Sequence, residues 1–232
     1  MSNSSYFIIL SLVYIAFFNI LYRKKRHIDS VELGIFGILL VTNIIGLLLE
    51  LLSIYSCKLY GNISPITIIF NRLYLAYLVT FCIIFLNYVV AVSVDVNKYN
   101  KIKSTIRSLS IICNIIFGIF SLVLPLTIYD NHSEGIAVMS VYFLSFFSII
   151  ISLIFMIKNL KNVKLKSYLP LFIFIIGLLI ASIIQKIDPS FTLITTLESF
   201  VLVVMYHTIE NPDVKMIEEL ELAKNQAEKA NH

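Results

Sequence analysis

Long apolar segments alternate with short polar loops along most of the chain. A helix needs about 20 mostly apolar residues, with roughly 17 to 25 tolerated, to cross the hydrocarbon core of a bilayer. Seven segments meet this requirement, so the pattern predicts an all-α polytopic membrane protein with seven transmembrane helices. The predicted spans are residues 6–22, 31–56, 66–94, 108–128, 137–157, 169–187 and 191–209.

The composition supports the same class of protein. Hydrophobic residues make up 59% of the 232 residues and charged residues only 14%, whereas about 25% of the residues in a soluble domain are charged. The net charge of +4 does not indicate a nucleic-acid partner, because most basic residues lie in short loops between apolar segments. Cys57, Cys82 and Cys113 have no paired spacing, so we expect neither a disulfide framework nor a metal site.

The distribution of basic residues among the loops predicts the orientation. Twelve lysines and arginines lie in the loops after the first, third and fifth spans, against Lys58 and Lys186 for the other three. Cytoplasmic loops carry the excess of positive charge. We therefore expect a multi-pass protein of the cell membrane with the N-terminus outside and the C-terminal tail inside.

Ionisable residues within the predicted spans are the main candidates for a site, because charge inside a membrane is costly and commonly functional. Glu50, Arg72 and Glu198 each lie six or seven residues from the outer end of a span, about 9–10 Å below the surface at 1.5 Å per residue. Asn71, Tyr74 and Gln185 are further candidates at this level. Two interpretations remain open: a structural ion pair of Glu50 with Arg72, and a ligand or proton-sensitive pocket open to the outside.

A polar helix is predicted after the last span. Asn211 is a candidate cap, and Pro212 fits the first turn of a helix. We therefore divide the chain into a membrane sensor domain, residues 1–209, and a cytoplasmic signalling helix, residues 210–232. Apolar positions spaced alternately by four and three residues predict a parallel coiled coil in a homodimer; these are Met216, Leu220, Ala223, Ala227 and Ala230.

The tail sequence "TIENPDVKMIEELELAKNQAEKANH" resembles the segment that joins the last span of multi-span sensor histidine kinases, including hybrid kinases, to their dimerisation and phosphoacceptor domain. The similar features are the "ENPD" turn and the "AK-x-x-AE-x-AN" helix. In that family "SHEIRTPL" follows within about a dozen residues, whereas this sequence ends at His232, which is not followed by Glu. The resemblance implies a downstream kinase domain that binds ATP and a response regulator as partner.

Other functions remain open on the sequence alone. Diguanylate cyclases use similar membrane modules and helical linkers, so only the wording of the tail sequence favours a kinase output domain over a cyclase output domain. A small multi-span transporter is the main alternative from another class, although the inverted repeats that would favour it are not seen. No P-loop, "HExxH" motif or nucleophile elbow is present. We therefore expect no catalytic residues and no cofactor in this chain itself.

Overall fold

The structure is a computed structural model that describes residues 3–24, 31–94, 96–129, 132–159, 169–188 and 192–207, together with residues 220, 224 and 228. Within the continuous ranges it has seven helices and one two-stranded hairpin. The helices are α1 (Asn3–Lys24), α2 (Val31–Tyr60), α3 (Pro65–Ser93), α4 (Val96–Val123), α5 (Ile136–Lys158), α6 (Leu169–Ile187) and α7 (Ile194–Met205), and the strands are β1 (Thr127–Ile128) and β2 (Ser133–Glu134).

The fold is that of a mainly helical membrane protein. Helices α1 to α5 are each long and apolar enough to cross a membrane. The apolar helices Leu169–Leu178 and Ile194–Met205, within α6 and α7, are shorter. The sixth and seventh spans therefore remain predictions, as does the orientation of the bundle.

The helix at the fourth predicted span, residues 108–128, has different ends from the span. Helix α4 begins at Val96 and includes part of the basic segment expected to be a loop, and it ends at Val123. Pro125 explains the early end, because proline lacks an N–H group and disfavours helical backbone at the residue before it. The chain then forms the antiparallel pair β1–β2, in which Ile128 lies opposite Ser133, so the all-α prediction missed one hairpin.

Helix α3 occupies the middle of the bundle. It packs against α2, α4 and α5, while α7 packs against α1, α2 and α6. Helix α4 buries little of its own surface and exposes apolar side chains such as Ile111, Ile115 and Ile119. In a membrane protein such a face fits contact with lipid.

Aromatic packing holds the end of α7 in the bundle. The ring of Tyr206, the residue after α7, lies 4.8 Å from Phe18 and 6.2 Å from Tyr22 of α1, measured between ring centroids. It also stacks on Phe36 of α2 at 6.4 Å. The segment that leads from the membrane domain toward the tail is therefore packed against two other helices.

Candidate functional site

A buried polar cluster lies among α2, α3 and α7. It contains two carboxyl groups, Glu50 of α2 and Glu198 of α7, each with a relative exposure of 2%. Removing a carboxyl group from water costs free energy unless it is paired or hydrogen-bonded. The partners of these two groups therefore define what the cluster is able to do.

Asn43 connects the three helices of the cluster. Its Nδ2 donates to Tyr77 Oη on α3 at 3.4 Å and to the Thr195 carbonyl on α7 at 3.3 Å. Its Oδ1 accepts a hydrogen bond of 2.6 Å from the Ser199 hydroxyl, which also donates to the Thr195 carbonyl at 2.9 Å. Since polar side chains hydrogen-bond across membrane helices, Asn43 fixes how α7 sits against α2 and α3.

Glu198 is hydrogen-bonded to Tyr77, whose ring position requires a glycine at position 46. The Tyr77 hydroxyl donates a hydrogen bond to Glu198 Oε2. The Tyr77 ring reaches this position by lying directly on α2 at Gly46, where a Cβ atom would come within 1.9 Å of Tyr77 Cζ. Only a residue without a side chain permits this close approach, so Gly46 is part of the site.

Glu50 differs from Glu198 because neither of its carboxyl oxygens has a hydrogen-bond partner among the residues that the structure describes. The hydroxyls of Thr192, Thr195 and Tyr74 nevertheless lie beside it and interact with its carboxyl group, and Tyr74 and Thr195 also share a hydrogen bond of 3.1 Å. Glu50 also lines a small cavity of about 80 Å³, together with Asn71 and Tyr142 among others. A buried acid thus belongs to the wall of a small cavity.

A larger cleft of about 870 Å³ lies beside this cavity. It separates α5 from α6 and α7, and it shares Leu78, Tyr142 and Ile194 with the small cavity. Most of its lining is apolar, and Glu198 is among its polar lining residues. The two buried carboxyl groups therefore belong to two adjacent openings.

The structure corrects one predicted interaction. Arg72 does not pair with Glu50; its Nη1 donates to the carbonyls of Ser121 and Leu124, at 3.0 and 3.1 Å. These carbonyls lie at the end of α4, where a helix has unsatisfied acceptors and favours a cation. Arg72 is therefore a cap for α4.

The other predicted residues fall in different places. Asn71 lines the small cavity, accepts a hydrogen bond of 2.8 Å from Ser133 of β2, and donates to the Thr67 carbonyl at 2.9 Å. The Gln185 side chain lies outside the described part of the structure. So do these predicted transmission residues: Asn211, Pro212, Met216, Ala223, Ala227 and Ala230.

The described tail positions are compatible with a helix. Leu220 is 64% exposed in the single chain. Lys224 Nζ lies 3.9 Å from Glu228 Oε1, in the i,i+4 arrangement that contributes little to stability at an exposed site. The coiled coil itself stays a prediction.

Several residues of the cluster were not predicted as site residues. Tyr77, Thr195 and Ser199 lie within apolar segments, where hydroxyl side chains are common. For the two residues on α7 the sequence does contain a signal: Thr195, Glu198 and Ser199 follow the i, i+3, i+4 pattern that places side chains on one helix face. In the described part of the chain, no group of three or more His, Cys, Asp or Glu side chains is placed to hold a metal ion.

Comparison with known proteins adds no assignment. No family model matches the chain, no curated protein matches it, and no solved structure matches it.

Proposed function

We propose that this chain is the membrane sensory input module of a two-component sensor histidine kinase, acting as a homodimer in a bacterial plasma membrane. The tail sequence supports the kinase output through its resemblance to that family. The observation that carries the sensory role is the buried cluster of Glu50, Glu198 and Asn43, which includes α7, the helix that precedes the tail. A change in the cluster thus acts on the element that leads to the output.

The packing supports transmission through α7. Three cluster residues, Thr195, Glu198 and Ser199, lie on this one short helix. Intramembrane ionisable groups commonly mark ligand or proton pathways. A stimulus that changes the bonding of Glu198 would shift α7, and the parallel tail helices of the dimer would change their register or rotation.

The test uses the whole chain fused to the catalytic core of a sensor histidine kinase, joined in the heptad register of the tail. One residue inserted after Lys215 turns the apolar stripe by about 100° and should change autophosphorylation with ATP in proteoliposomes several-fold. Seven inserted residues restore the heptad register and should return autophosphorylation close to its original level.

The two insertions control for each other, because both lengthen the tail at the same position and only one changes its phase. Equal autophosphorylation in the two variants would mean that the tail is a passive tether, and the proposal would then fail. As a second arm, Glu198→Gln should shift the autophosphorylation activity of the fusion. If the membrane domain were instead a transporter, this substitution would leave the autophosphorylation unchanged.

A further inference from the structure

The cleft between α5 and α7 has the size and lining of a site for an organic molecule. Its volume of about 870 Å³ lies within the roughly 300–1,000 Å³ of small-molecule pockets, which are mostly apolar with a few polar groups. Met139 and Phe146, which line it, are 71% and 60% exposed on the outside of the bundle. A ligand with an apolar chain would therefore reach the cleft from the lipid.

The buried ionisable groups that line the cleft and the adjoining cavity include two acids. Glu198 lines the cleft, and Glu50 lines the adjoining small cavity. Neither lining includes a lysine or arginine among the described residues; His132 lies in both, and its Nε2 is 3.5 Å from Glu134 Oε1. Two buried acids thus have no cationic side chain of their own.

Aromatic rings add to this preference. Tyr74 and Tyr142 line the small cavity together with Glu50, and the faces of tyrosine rings attract cations. A buried charge is tolerated when an opposite charge pairs with it. A positively charged nitrogen is therefore the group that these surroundings recognise best, and a second carboxylate is the group that they repel.

We propose that the cleft binds a lipid-soluble amine, with its protonated nitrogen at Glu198 and Glu50 and its apolar chain between α5 and α7. A neutral alcohol of equal length would gain the apolar contacts without the ion pair. A fatty acid would meet two carboxyl groups and be excluded. This inference gives the proposed sensory function a ligand class and rests on that function only for the consequence of binding.

The test uses a ten-carbon alkylamine that carries a diazirine in its chain, with the whole protein in phosphatidylcholine nanodiscs. Photolabelling should be saturable, and mass spectrometry should place the adducts on α5 and α7. Decylamine should displace the probe at a concentration at least about tenfold lower than decanol, a difference that corresponds to about 1.4 kcal/mol. Decanoate should not compete.

Variants then test the role of the acids. Glu50→Gln and Glu198→Gln should each reduce the preference for decylamine over decanol by about tenfold, while decanol competition persists and reports an intact cleft. Glu32→Gln, at the other end of α2, is the matched control and should leave the preference unchanged. Should either glutamine variant fail to fold, Ser145→Phe fills the cleft lining and should suppress labelling by the probe.

Three results would overturn the proposal: labelling that does not saturate, adducts spread over the lipid-facing side of α4, or equal competition by decylamine and decanol in the unmodified protein. None of these measurements depends on a kinase output. Failure of the labelling would therefore leave the insertion test of transmission standing, and failure of the insertion test would leave amine binding standing.

Discussion

Replacing Gly46 with alanine should destabilise the helix bundle through one side chain. The added Cβ atom would come within 1.9 Å of Tyr77 Cζ and 2.3 Å of Cε1 and Cε2, whereas carbon atoms in contact lie about 3.5–4.0 Å apart. The Tyr77 ring is only 5% exposed, so it has little room to move. It must therefore leave its position on α2 and give up its hydrogen bond to Glu198.

The expected cost has three components. Overpacking a core costs about 1–3 kcal/mol, and losing a hydrogen bond to a charged or acidic group costs about 1.5–3 kcal/mol. Alanine returns about 0.5–1 kcal/mol relative to glycine within a helix. The net destabilisation of Gly46→Ala is about 2–5 kcal/mol, which for a chain of this length corresponds to a melting temperature lower by on the order of 10 °C.

A thiol-reactive fluorescent maleimide measures this change, because the three cysteines lie in helices of the bundle and become reactive on unfolding. Gly34→Ala is the matched control on the same helix. Apart from its own helix backbone, no atom of the described residues lies within 4 Å of its added Cβ, so stability should stay the same or rise slightly. In a Tyr77→Ala background, Gly46→Ala should cost almost nothing. An equal cost with and without the Tyr77 ring would refute the steric argument.

Two further predictions concern the cap and the topology. Arg72→Ala removes both hydrogen bonds to the carbonyls at the end of α4, so it should lower stability by about 1.5–3 kcal/mol in the same melting assay. The loss should be equal with glutamate or glutamine at position 50. A loss that depends on residue 50 would restore the ion-pair interpretation. Reporter fusions after Lys103 and Lys166 should report the cytoplasm and fusions at Asn62 and Asn131 the outside, because basic loops remain inside; reversal at any two sites would refute the seven-span topology.

The axial position of the buried acids could be predicted from the sequence, but their partners could not. Counting residues from the end of a span gives depth, since each residue adds 1.5 Å. Glu50 and Glu198 were placed at one depth in this way, and the structure brings both into the same cluster. Depth alone, however, says nothing about which side of a helix a residue faces.

Asn71 and Arg72 illustrate this limit. They are neighbours in sequence and lie at nearly the same depth, yet a helix turns by about 100° per residue. Asn71 therefore faces the cavity beside Glu50, while Arg72 faces α4. Predicting the difference requires knowing which helices are adjacent, and apolar segments without a strong polar face carry little information on adjacency.

The helix ends show a second limit. Hydropathy predicts seven spans, and five of the helices are long and apolar enough to cross a membrane. It places the start of the fourth span at residue 108, well inside α4, because the preceding segment is basic. Charge reports where a segment leaves the lipid, whereas a helix continues until its backbone hydrogen bonding is interrupted. Here the interruption at the C-terminal end of α4 is Pro125, and Gly135, with φ of +119°, completes the return into α5.

The arrangement of the cluster indicates which part would move if Glu198 gained a ligand. Helices α2 and α3 share the most extensive packing in the bundle, with the Tyr77 ring seated on Gly46. Helix α7 is shorter and is tied to this pair by polar contacts from Asn43 and Tyr77. An amine that competes with Tyr77 for Glu198 would weaken one of these contacts without disturbing the α2–α3 packing. A ligand shifts an equilibrium only through different affinities for two states, and the bond between Tyr77 and Glu198 supplies such a difference. The displaced element would then be α7, whose end packs through Tyr206 against α1 and α2 and leads toward the tail.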